Sequence, residues 1–230
     1  MMKKTILALM ITIACALVGC GFGNRWQVSH PLYKRAPYKD VALAGTEDAF
    51  VLTRSAWFAK KLQIGTDSIQ LKVTHFCQQT FRNEFKRIYP DVTPIPQATY
   101  KTFPEESQKL DERIFIKGRL PEQGVAAKDS AGNTPHYILI LHEFIIGTDL
   151  KRENYFDYAL IHNERTEKNT SKNVSAIVSY TLWDNEMQRP LFSAVDEIQH
   201  AITTPTMADL EALVRETVKQ IRINMYGGVS

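Results

Sequence analysis

Two stretches of this chain repeat apolar residues at helical spacing. Over residues 68–89, Ile69, Val73, Cys77, Phe81 and Phe85 recur every fourth position, Phe76 and Ile88 widen the stripe, and Gln70, Thr74, Gln78, Arg82 and Lys86 fall off it. That spacing predicts an amphipathic helix laid on a core. Asp67 or Ser68 can cap its first N–H groups, and Pro90 prevents its continuation. Over residues 206–225, Leu210, Leu213, Val214, Val218, Ile221 and Met225 form a second stripe. Thr206 with Asp209 has capping-box spacing, and Gly227-Gly228 is a fitting stop.

The strand signals lie between these helices. Residues 137–146 contain Ile138, Leu139, Ile140 and Leu141 in succession, a continuous aliphatic run expected of a strand covered on both faces. Residues 174–183 alternate, and after the polar turn Asp184-Asn185-Glu186 and Pro190 the stretch 191–198 returns, which predicts a hairpin. Residues 41–44, 113–117 and 155–162 read as shorter strands. The nearly continuous apolar stretch 49–62 stays open between helix and strand. Pro94, Pro96 and Pro104 mark one loop, and residues 121–135, with Gly124 and Gly132, mark another that is mobile or used for recognition. This order predicts an α+β domain, a mostly antiparallel sheet of about five strands with two long helices packed on one face.

The N-terminus has a different pattern. Lys3 and Lys4 precede an apolar run over residues 6–18, followed by Gly19 and Cys20. The run is short of the ~20 residues a membrane-spanning helix needs, so it reads as a leader to be removed. Its end, Leu17-Val18-Gly19-Cys20, resembles the lipobox of bacterial envelope lipoproteins. The resemblance implies that the Cys20 thiol takes a diacylglycerol, that the chain is cut before it, and that the new amine is acylated. The organisation expected is a signal peptide over 1–19, a lipidated tether over 20–40 and a single α+β domain over 41–230. Gly21 stands where Asp commonly retains such proteins in the inner membrane of Gram-negative cells; by similarity it implies the outer membrane, facing the periplasm.

Charge and cysteine content narrow the class. Lys3 and Lys4 are the leader's only charged residues, so their loss takes the formal net charge from +3 to +1. A nearly neutral domain argues against nucleic acid as a partner. Arg25, Lys34, Arg35 and Lys39 remain a local basic bias, either a solvated tether or a segment drawn to anionic headgroups. Of three cysteines, Cys15 leaves with the leader and Cys20 carries lipid, so Cys77 has no partner for an internal disulfide. Its place in the helical stripe makes it a small buried hydrophobe.

The order of elements also resembles small α/β domains of envelope lipoproteins: activators of penicillin-binding proteins, the curli secretion lipoprotein and auxiliary lipoproteins of transport systems. The turn from Leu182-Trp183-Asp184 to Leu191-Phe192 is comparable with one common in that group. The resemblance implies an adaptor rather than an enzyme. No phosphate-binding glycine loop, nucleophile elbow or zinc spacing occurs, so no cofactor, metal or catalytic residue is assigned. Strict alternation would send His142 and Glu143 to opposite faces of their strand. Asp157, His162 and His200 are the set to inspect for hydrolytic chemistry. Aromatics are the better lead, because they concentrate where partners bind: Trp183, Tyr180 and Phe192 flank the hairpin, and Tyr155 and Tyr158 precede another strand. The leading expectation is a non-enzymatic, membrane-anchored adaptor or assembly component for an envelope protein. The alternative is a carrier for a lipid or other apolar ligand, which would need a cavity between sheet and helices.

Overall fold

A computed structural model describes residues 25–34, 37–91, 93–111, 114–151, 173–202 and 205–226. In chain order the elements are β1 (Arg25–Ser29), β2 (Val41–Ala44), β3 (Phe50–Leu52), α1 (Ser55–Leu62), α2 (Thr66–Ile88), α3 (Gln97–Thr102), β4 (Glu105–Asp111), β5 (Ile114–Arg119), β6 (Tyr137–Thr148), β7 (Asn173–Asp184), β8 (Arg189–Ala201) and α4 (Met207–Tyr226).

The architecture corrects the expected fold. Among the described residues the main sheet has six strands and is mixed, in the order β1-β8-β7-β6-β2, with β3 also paired to β6. β1, β8, β7 and β6 are antiparallel neighbours, whereas β2 and β3 run parallel to β6. The reason is the connection: from β3 the chain passes through helices and a hairpin before returning as β6, and a crossover of that length permits parallel pairing. β4 and β5 form a separate two-stranded sheet, and the described residues include four helices rather than two. Within the span expected as tether, β1 pairs with β8 over its whole length.

The periodic segments fold as their patterns predict. Ile69, Val73, Cys77, Phe81 and Phe85 of α2 and all six stripe residues of α4 are buried in one core with the inner face of the sheet. Capping differs between the two helices. α4 begins with a capping box in which Thr206 N–H donates to Asp209 at 2.7 Å and Asp209 N–H donates to Thr206 Oγ1 at 3.3 Å. α2 has Gly65 as its N-cap, with no side-chain cap, and Ser68 donates its hydroxyl back to the Gly65 carbonyl at 3.2 Å.

Both faces of the sheet are covered. Leu139, Leu141, Phe144 and Ile146 of β6 point to the helices. Ile138, Ile140 and Ile145 point to the opposite layer, made of the β4–β5 ribbon, α3 and the loops around them. The long β7–β8 hairpin closes on Asp184, whose Oδ1 accepts from the N–H groups of Glu186 and Met187 at 3.0 and 2.8 Å.

Candidate functional site

The layer over the second face is held to the sheet by side-chain hydrogen bonds as well as by apolar contact. A bulge in β6 between Leu141 and Glu143 breaks alternation. Leu141 and Phe144, three residues apart, both face the helices. His142 and Glu143 therefore share the opposite side, and the expectation that they diverge is corrected: His142 Nε2 meets Thr181 Oγ1 at 2.8 Å, and Glu143 lies opposite Ser179 in the register.

His142 belongs to a four-membered network whose proton directions can be worked out. Ser193 donates to Gln108 Oε1 of β4, so it accepts from Thr181, 2.9 Å away. With its proton committed, Thr181 Oγ1 accepts from Gln108 Nε2 at 3.2 Å and from His142. His142 thus carries its proton on Nε2, and Nδ1 is a bare acceptor. Nδ1 is buried without a hydrogen-bond partner. Burial accordingly lowers the His142 pKa from 6.5 to about 4, keeping the ring neutral. The ring lies against Gly118 of β5, where a β-carbon would overlap Nδ1, Cε1 and Cγ. Only glycine permits this approach.

Beside this contact opens a cleft of about 490 Å³ lined by Tyr100, Glu105, Glu106, Ser107, Lys117, Gly118 and Arg119. Arg119 stiffens its wall by donating to the Lys101 and Phe103 carbonyls at 3.0 and 2.8 Å and to Glu105 at 2.7 Å. On the outside, Glu105, Glu106, Ser107 and Lys109 of β4 are exposed. Among the described residues β4 and β5 pair only with each other, so each keeps one unpaired backbone edge. The loop over 121–135 is pinned to the same layer by buried Asn185, which bonds Ala127 on both its N–H and its carbonyl, at 2.9 Å each, and the Pro135 carbonyl at 2.9 Å.

The aromatics expected to present a partner surface are placed inside. Tyr180, Trp183 and Phe192 are all buried. Strand alternation separates them: Tyr180 and Leu182, with Phe192 opposite Leu182, lie in the helix-side core, and the next residue, Trp183, packs with Tyr100 and Phe103 on the other side. Tyr180 donates to buried Asp196 at 2.8 Å and accepts from Asn224 of α4 at 2.8 Å, while Asn224 also donates to Asp196 at 2.7 Å. Burial beside that carboxylate raises the Tyr180 hydroxyl pKa well above its ordinary value. These three residues knit layers together. Cys20, Tyr155, Tyr158, Asp157 and His162 lie outside the described residues. His200 meets Glu216 at 3.1 Å and Asp209 at 3.6 Å on α4. Burial pushes the Cys77 thiol up to about 12, so it stays protonated and inert.

A second concavity, about 630 Å³, lies at the C-terminal ends of α2 and α4. Tyr38, Val41, Ile88 and Tyr89 form its apolar lining, and Lys39, Asp40, Asp91 and Arg222 its charged rim. The space between sheet and helices is filled instead by Phe81, Phe85, Phe144, Tyr180 and Phe192. No helix among the described residues is long and apolar enough to cross a membrane.

What the geometry defines is a domain with a mixed sheet, a hydrogen-bonded ribbon standing on one face and concavities at its surface. No protein-family model and no curated protein matches the chain. Among solved structures it is similar to a PelC dodecamer from Paraburkholderia phytofirmans, with 11% identity, a TM-score of 0.36, and coverage of 87% of this chain and 98% of that one. A variant of that PelC gives 12% identity and a TM-score of 0.35 at the same coverage. A putative neuraminyllactose-binding hemagglutinin homolog from Helicobacter pylori gives 10% identity and a TM-score of 0.28, covering 87% of this chain and 89% of that one. Nothing is assigned to this chain from likeness of that size.

Proposed function

We propose that this chain is a lipid-anchored protein of the bacterial envelope, held at Cys20 in the outer membrane, whose folded domain binds a partner protein without catalysing a reaction. The leader ending in Leu17-Val18-Gly19-Cys20 supplies the anchoring half of the reading. The β4–β5 ribbon carries the binding half. It is a two-stranded unit with exposed polar side chains and edges that no other strand pairs among the described residues, mounted on a buried network, and an unpaired edge accepts a partner strand through main-chain hydrogen bonds. A photo-crosslinking residue placed at Ser107 or Lys109 in intact cells tests it. The expected result is one dominant adduct from these positions and none from exposed Leu71 on α2; equal, diffuse labelling from all three positions would overturn it.

The groove at the helix ends favours a second reading, a carrier for an amphipathic ligand, because its volume and its apolar lining with a charged rim match ordinary ligand sites. Organic extraction of the purified protein should then release a bound lipid in stoichiometric amount, and Ile88→Trp should abolish its retention. An extract without lipid rejects this reading.

A further inference from the structure

We infer that β1 and the turn after it form a membrane-lying rim, so that the sheet stands edge-on upon an anionic bilayer. This inference rests on the anchoring at Cys20 proposed above. β1 begins five residues after Cys20, and at ~3.6 Å per residue the α-carbon of Arg25 stays within about 18 Å of the acylated residue. β1 is also an edge of the main sheet, with Gln27, Val28 and Ser29 exposed on it and Pro31, Leu32 and Lys34 exposed in the segment that follows.

Three observations select lipid as the occupant of this rim. The first is apolar exposure: of the five large hydrophobic residues exposed among the described residues, Val28 at 40% and Leu32 at 54% both fall within twelve positions of Cys20. The second is charge: between Cys20 and Asp40 the sequence carries Arg25, Lys34, Arg35 and Lys39 and no acidic residue, which complements anionic headgroups. The third is preorganisation of the turn. His30 N–H donates to the Leu191 carbonyl at 2.8 Å, Tyr33 N–H to the His30 carbonyl at 2.8 Å, and Leu32 N–H to His30 Nδ1 at 3.1 Å. The Tyr33 hydroxyl donates to the Asn224 carbonyl at 2.7 Å while its ring stacks on Phe192 with centroids 5.1 Å apart. Leu32 is thus projected outward from a fixed turn, the placement an interfacial apolar anchor requires. The N–H groups on the outer edge of β1, which pair with no strand among the described residues, would meet headgroup oxygens.

The test uses the full acylated chain in vesicles of phosphatidylethanolamine and phosphatidylglycerol. Val28→Cys and Leu32→Cys, with Leu71→Cys and Val125→Cys as exposed controls, are labelled with an environment-sensitive fluorophore; Cys77 is buried and acylated Cys20 has no free thiol. A lipid-borne quencher should quench the probes at 28 and 32 severalfold more than those at 71 and 125, and the difference should shrink in vesicles lacking phosphatidylglycerol. Equal lipid quenching at all four positions with Cys20 acylated overturns the rim alone. Probes at 28 and 32 shielded from both lipid-borne and aqueous quenchers would mean that a protein covers this edge, which overturns it too. An unmodified Cys20 in the mass spectrum of the wild type removes the anchoring reading, and the rim with it.

Discussion

The two faces of the sheet are stabilised by different physics. On the helix side, Phe50, Phe81, Phe85 and Phe144 interlock, with Phe50 stacked on Phe144 at 4.7 Å and edge-on to Phe81 at 6.1 Å. Non-directional burial of large side chains dominates there, with one buried polar set, Tyr180, Asp196 and Asn224, tying α4 to the sheet. On the ribbon side the apolar residues split into two small clusters, and the span between them is bridged by His142, Thr181, Ser193 and Gln108. Directional bonds fix the ribbon's position, but each contributes only about 1 kcal/mol net. The helix side therefore sets global stability, and the ribbon side is the layer able to open locally.

Substitutions can break this contrast. Phe144→Ala should cost about 3–5 kcal/mol and lower the denaturation midpoint of the whole domain. Acidification should act through the other face. Between pH 6.5 and about 4 the unfolded chain takes up a proton at His142 while the folded one does not, so the stability that neutral His142 contributes is fully present above that window and is lost as pH drops through it. The full effect is about 3 kcal/mol, and His142→Gln should remove most of this dependence in thermal melts across that range. Gly118→Ala should cost about 1–3 kcal/mol by pressing on the His142 ring. Amide exchange should then accelerate in β4 and β5 and stay slow in α2 and α4; uniform acceleration would mean the two layers unfold as one. Arg215→Ala, which removes ion pairs to Glu84 and Glu211, should cost less than about 1 kcal/mol because Arg215 is half exposed.

What the sequence made legible follows the same division. The stripes of α2 and α4 and the alternation of β7 are long enough to show a period, and the unbroken aliphatic run of β6 and the return of β8 after a polar turn mark those strands close to their observed bounds. β1, β3, α1 and α3 span at most eight residues each, too few for a period to emerge, and the parallel pairing of β2 and β3 depends on contacts distant in sequence. The bulge at His142 was invisible because alternation assumes an unbroken pleat. Tyr180 and Phe192 stand at alternate positions that read equally as surface or core until α4 is laid over them. Gly118 bore a signal that could have been used, a lone glycine inside a strand, which marks close approach of another group.

The position of β1 has a mechanical consequence. Its five residues pair antiparallel to β8, with hydrogen bonds lying across the strand. A pull applied upstream of Arg25 runs along the strand axis, so the ladder is loaded in shear, its rungs sharing the strain at once instead of unzipping in turn. An N-terminal strand integrated in this way is a seat that resists detachment of the domain from whatever holds its leading end.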